Sequence, residues 1–161
     1  MNFEKEIETR LASDATLLAN AVNRKRLAKV LKKKISFPLP EATVQEEMDA
    51  LKKRDEKIAD KAAKAQAEES LKIALILRHY ITEFAVAATE EDIKSYIAMG
   101  APSQMAIDGF YEWYIQDQNR LKQVQAAVIE QNALDVILTK VKAKEKACTI
   151  ADIEKELKEG A

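Results

Sequence analysis

Glycine and proline are nearly missing from these 161 residues, with three of each. Chain-breaking signals are therefore confined to a few places, and the intervening stretches are rich in alanine, lysine, glutamate, leucine and isoleucine. That composition favours helix almost throughout. There is one cysteine, Cys148, so no internal disulfide can form; this fits a reducing compartment. No apolar run exceeds five residues, as in Ile73 to Leu77, far short of a membrane span. The first residues, MNFEKEIETRL, lack the apolar core of a signal peptide. Charge of one sign is also missing in excess: the net charge is −1, which argues against nucleic-acid binding by bulk charge.

The chemistry these shortages exclude is broad. One histidine, His79, cannot supply paired Glu-x-x-His motifs or a zinc ligand set. No serine carries a motif that would pair with it in a nucleophilic triad, so it reads as a core or rim histidine. The glycines, at 100, 109 and 160, are too scattered to cradle a phosphate. Carboxylates are plentiful but sit on solvated helical faces, with no pair set apart as acid and base. Cys148 precedes a helix start, which can lower a thiol pKa, yet it reads as an incidental small residue. Neither catalysis, a metal nor a cofactor is indicated.

What is present is helix. Residues 2–34 carry an apolar stripe from Phe3, Ile7 and Leu11 through Leu18, Val22, Leu27, Val30 and Leu31. Pro38 and Pro40 end it. Residues 41–84 contain neither breaker; a continuous helix of roughly 43 residues would be about 65 Å long. It is either straight or bent near Asp55 to Ile58. Between Lys52 and Ser70 the only large aliphatic residue is Ile58, so 52–70 reads as an arm standing away from the body. Ile73 to Leu77 is apolar all round and reads as buried. Thr89 with Glu90, Glu91 and Asp92 opens a helix that stops at Gly100. The next, over 104–115, holds four of the nine aromatics: Phe110, Tyr111, Trp113 and Tyr114. A helix over 120–139 follows, with Val124, Ala127, Val128, Leu134, Ile137 and Leu138 on one stripe; it reads as the spine of the body. Residues 141–147 form an extended strap, and Thr149 caps a last helix over 150–158.

Two features have both a plain and a functional reading. Arg24, Lys25, Arg26, Lys29, Lys32, Lys33 and Lys34 contain no acid among them. They suit the negative end of a helix dipole, or they could meet an anionic partner such as RNA. Val44, Met48, Leu51 and Ile58 lie where the chain has least beside it to bury against. They, with Phe84, Met99, Met105 and Phe110, are candidates for contacting apolar segments of other chains; the unbranched methionine thioether adapts to varied partners.

The order and spacing of three stretches resemble the C-terminal domain of bacterial trigger factor. The first is Ile35-Ser36-Phe37-Pro38-Leu39-Pro40-Glu41, followed by Val44, Glu47, Met48, Asp49 and Leu51. The second is the apolar helix Leu71 to Ile81 with the acidic start at Thr89 to Asp92. The third and best is Val124 to Thr149, including Glu130-Gln131-Asn132-Ala133-Leu134 and Lys142-Ala143-Lys144-Glu145-Lys146. The likeness covers roughly residues 20–160. It departs from the family in lacking the Gly-Phe-Arg-x-Gly-x-x-Pro signature of the ribosome-docking domain and any prolyl-isomerase domain. It is also shorter between Asp49 and Leu71. The expectation is an excised C-terminal domain or a naturally reduced relative.

The resemblance implies an all-α fold in one domain, residues 1–161, with an elongated multi-helical body and protruding arms. It implies a cytoplasmic chaperone that holds unfolded or nascent polypeptides without ATP. Ribosome contact would belong to a domain this chain lacks. A homodimer through client-facing apolar surface is possible. Two other classes stay open: a scaffold docking one folded partner, and an RNA- or ribosome-contacting module using residues 24–34.

Overall fold

The computed structural model describes residues 3–101, 107–142, 144 and 146–158. Among these the regular elements are all helices: α1 (Phe3–Lys34), α2 (Glu41–Arg54), α3 (Asp60–Glu83), α4 (Glu90–Gly100), α5 (Ile107–Ile115), α6 (Gln118–Lys140) and α7 (Ile150–Lys158). The scarcity of breakers allows their length. Each end falls at a cap, a proline or a turn.

α6 is the spine, packed against α1, α3, α4 and α5. Its stripe serves two cores. Ala133 and Ile137 join Leu27 and Leu31 of α1 and Ile76 and Leu77 of α3 in the body cluster. Val124 and Val128 join Ile93 and Ile97 of α4 in a second cluster, flanked by Phe110, Tyr111 and Tyr114 of α5. A third cluster is separate from α6: Val44 and Met48 of α2 with Ala63 and Ala67 of α3. The body is further tied by Arg24, whose guanidinium donates to both carboxylate oxygens of Asp135 at 2.7 and 2.5 Å.

Sequence-readable caps hold the helix ends. At α4, the Asp92 amide donates to the Thr89 hydroxyl and the Thr89 amide donates to the Asp92 carboxylate. Asn132 of α6 donates to that carboxylate and to the Ala87 carbonyl, fixing α4 on the spine. Thr149 and Asp152 repeat the reciprocal pair at α7. α3 ends with Ala85 in the left-handed region, φ 48°. The Val86 amide there reaches back to the Ile81 carbonyl and that of Ala85 to Thr82, which satisfies two carbonyls of the last turn.

These caps set a pH dependence. The Asp92 carboxyl lies below its ordinary 3.8, held there by the Thr89 backbone amide, the Thr89 hydroxyl and the Asn132 amide. Asp152 is lowered by the Thr149 hydroxyl and amide, and Asp117 by the Asn119 amide and the Arg120 side chain. A lowered folded pKa contributes stability that is full above the unfolded value and lost as pH falls through the folded one. Denaturant midpoints are therefore expected to fall as pH drops through and below the ordinary aspartate value of 3.8, less steeply for Asp92→Asn. An unchanged slope in that variant would remove Asp92 from the account.

Of the two readings of residues 41–84, straight or bent near Asp55 to Ile58, the second is found: α2 ends at Arg54, α3 starts at Asp60, and Asp55 to Ala59 reverse the chain, with the Ile58 amide donating to the Asp55 carbonyl. Two other expectations need revision. Ile73 to Leu77 is not buried all round, because α1 and α6 cover only one side; Leu75 remains 41% exposed. Finally, the stripe of α1 is buried only at Val22, Leu27 and Leu31, with Val30 left 50% exposed. Ile7 and Leu11 lie in solvent, because no helix among the described residues folds over that end.

Candidate functional site

The α2–α3 hairpin is built by small residues. Ala63 and Ala67, one turn apart on α3, are fully buried and let α2 approach closely enough to seat Val44 and Met48. Lys52 and Asp60 close the turn end at 2.7 Å, and Lys32 of α1 holds Glu69 at 2.8 Å toward the body. Between the hairpin and the 35–40 segment lies a groove of about 590 Å³. Phe37, Leu39, Val44 and Met48 give it apolar lining; Glu41, Lys64, Glu68 and Lys72 give it charge.

A second recess, about 370 Å³, lies between α4 and α5. Tyr96, Ile97, Met99, Gly100, Phe110 and Tyr114 line it. Beside it, Phe110 and Trp113 stack with centroids 6.2 Å apart. The Arg120 guanidinium covers the Trp113 ring at 3.7 Å, donates to the Trp113 carbonyl and pairs with Asp117. Trp113 is thus held in one orientation while half of it stays in water.

The eight candidate residues divide between these places. Val44 and Met48 are buried in the hairpin, contrary to the expectation that little lies beside them; α3 turns back over them. Leu51 and Ile58 are half-buried against the same cluster. Phe84 packs half-buried on the body cluster, stacked on Tyr80 and under the Lys140 ammonium at 5.2 Å. Phe110 lines the second recess, with Met99, which is 56% exposed, at its edge. Met105 lies outside the described residues. Phe37 and Leu39 were not among the candidates. Their signal was the pair of prolines, which holds the segment extended; Phe37 packs partly buried on the body cluster and Leu39 on the hairpin cluster, each with one edge at the groove.

The basic stretch is largely engaged within the chain. Arg24 meets Asp135, Arg26 meets Glu156, Lys32 meets Glu69, and the Lys25 ammonium donates to the carbonyls of Glu156 and Leu157. His79 is exposed and paired with Glu83, and Cys148 is exposed. Among the described residues no cluster of His, Cys, Asp or Glu could hold a metal ion, and no helix is long and apolar enough to cross a membrane.

Comparison with known proteins agrees with this architecture. The profile of the family described as bacterial trigger factor protein (TF) C-terminus matches residues 2–139. The trigger factor of Variovorax paradoxus (strain S110) is 31% identical over 166 residues, covering 94% of this chain and 36% of its own. That of Polaromonas naphthalenivorans (strain CJ2) is 30% identical with the same coverage. That of Leptothrix cholodnii is 32% identical over 151 residues, covering 85% of this chain and 33% of its own. The chain thus spans about a third of the length of the curated relatives it matches. With the match running from the first helix to the last turn of the spine, the chain belongs to the family of the bacterial trigger factor C-terminus.

Proposed function

We propose that this chain holds unfolded or nascent polypeptides in the cytoplasm through weak, scattered apolar contacts, without nucleotide. The observation that carries this reading is the pair of open recesses, each apolar in part and each on its own helix pair. Lysine and glutamate at the first groove keep it wet, so an apolar client segment gains burial there without being locked in. An exposed thioether and a half-exposed indole at the second offer adaptable and flat contact area. Leu51, Ile58, Phe84 and Phe110 contribute their exposed portions; Val44 and Met48 reach a client at the groove they line.

The test is light scattering of a chemically denatured client on dilution. The chain at several-fold excess is expected to suppress aggregation. Met99→Ser, at an exposed site, is expected to weaken suppression a few-fold with helicity unchanged. No suppression by the parent chain sinks the reading. Suppression that is untouched by Met99→Ser removes the second recess from it.

A further inference from the structure

α7 lies against α1. Its stripe is Ile150, Ile153 and Leu157, of which Ile153 is buried. On α1, Val22 is buried although it belongs to none of the three clusters. The rest of the contact is charged. The Arg26 guanidinium donates to both carboxylate oxygens of Glu156, at 2.6 and 2.5 Å. Lys25 caps the last-turn carbonyls of α7. Lys29 borders one surface recess with Asp152 and Glu156. α7 therefore runs antiparallel to α1, its C-terminal end toward the start of α1.

At about 100° per residue, Ile7, Leu11, Leu18, Val22, Lys25 and Lys29 fall within about 60° of one another on α1. Leu27, in the body core, lies about 140° or more away from each of them. The face that seats α7 is thus one continuous track about 33 Å long, of which a nine-residue helix covers about 13 Å. Beyond α7 the track carries Ile7, 45% exposed, and Leu11, 55% exposed. The charge along it changes sign, from Lys25 and Lys29 on the track with Arg26 beside it to Glu4 on the track with Glu8 and Asp14 beside it.

We propose that the outer face of α1 is a docking track for an amphipathic helix of a partner protein, and that α7 is its resident occupant at the basic end. The charge order names the partner's chemistry. An antiparallel helix needs acids in its first half, over Lys25 to Lys29, and bases in its second half, over Glu4 to Asp14. That order also suits the partner's own dipole. α7 has the first part of this pattern: Glu156 pairs with Arg26, and Asp152 borders the same recess as Lys29. A longer helix of the same kind gains the Ile7 and Leu11 surface that α7 leaves open, and displaces α7 from Val22. This goes beyond the client-holding reading and does not depend on it, since it concerns a folded helix and another face.

The probe is a fluorescent 22-residue peptide with isoleucine and leucine at helical spacing, glutamates flanking its first half and lysines its second. It is titrated into the full chain, and in a second arm into the chain labelled at its single thiol, Cys148. Saturable binding is expected, with increased motion of the Cys148 label as α7 leaves. Leu11→Asp, at an exposed position, is expected to weaken binding about tenfold or more, as is lysine in place of the peptide's glutamates. The proposal is overturned by no binding, by equal binding to Leu11→Asp or of the all-lysine peptide, or by binding that leaves the Cys148 label unmoved. It is also overturned if the chain alone forms a dimer that Leu11→Asp abolishes, since a second copy would then own the track.

Discussion

Truncating Ile137 to alanine is expected to lower the unfolding free energy by about 2–5 kcal/mol. The side chain is buried where α1, α3 and α6 meet, so its removal loses both the transfer of apolar surface and the contacts around the void. The neighbours cannot easily close the gap. Ala133, one turn earlier on α6, has no reach, and Leu27, Leu31, Ile76 and Leu77 are committed to their own packing. Because α6 also supports the α4–α5 cluster, the loss should appear across the spine. Urea unfolding followed by circular dichroism measures it. A cost below about 1 kcal/mol would mean that the three-helix junction does not hold the body together.

Replacing Ala63 and Ala67 together by leucine is expected to pry the hairpin apart while the body stays folded. Each alanine is fully buried against α2, and added methylenes in a packed interface cost about 1–3 kcal/mol per site. The hairpin core is small, with two large residues from α2 and two alanines from α3, so little remains to oppose that strain. Amide exchange should quicken over 41–70 and stay slow over 124–137. Equal quickening in both regions would show that hairpin and body open as one unit. The same variant should lose the groove between Phe37 and Met48 while keeping the recess at Met99, so it separates the two surfaces by function as well as by stability.

Helix existence was legible from the residues because the breakers are so few. The caps at Thr89 and Thr149, the stop at Gly100 and the role of α6 as spine all follow from side chains acting on their own neighbourhood. The hairpin was not legible in the same way. Between Lys52 and Ser70, alanine looks like polar-helix filler, and it becomes core only when a second helix comes close enough to need its smallness. Ala63 and Ala67, four apart, were the available signal. α1 failed in the opposite sense. Ile7 and Leu11 have the spacing of core residues, and the period states which face is apolar without stating whether anything covers it. The basic run at 24–34 likewise has a run's appearance in one dimension, while its partners, Asp135, Glu156 and Glu69, lie on three other helices. Among the candidate contact residues that the structure describes, burial depended on long-range folding, so residue type alone could nominate them but not rank them.

α3 and α6 each run without interruption through two clusters: α3 from Ala67 to Ile76, α6 from Val128 to Ala133. A helix is a ruler with a thread. Each residue inserted between Ala67 and Ile76 would push the hairpin outward by about 1.5 Å and swing it by about 100°. Steps of about seven residues (two turns, about 10.5 Å), eleven (three turns) or eighteen (five turns) lengthen the reach while leaving the groove facing nearly the same way. Relatives of different arm length would then share groove orientation only if their α3 lengths differ by such steps, and the spacing between the two recesses would be quantised by helical pitch.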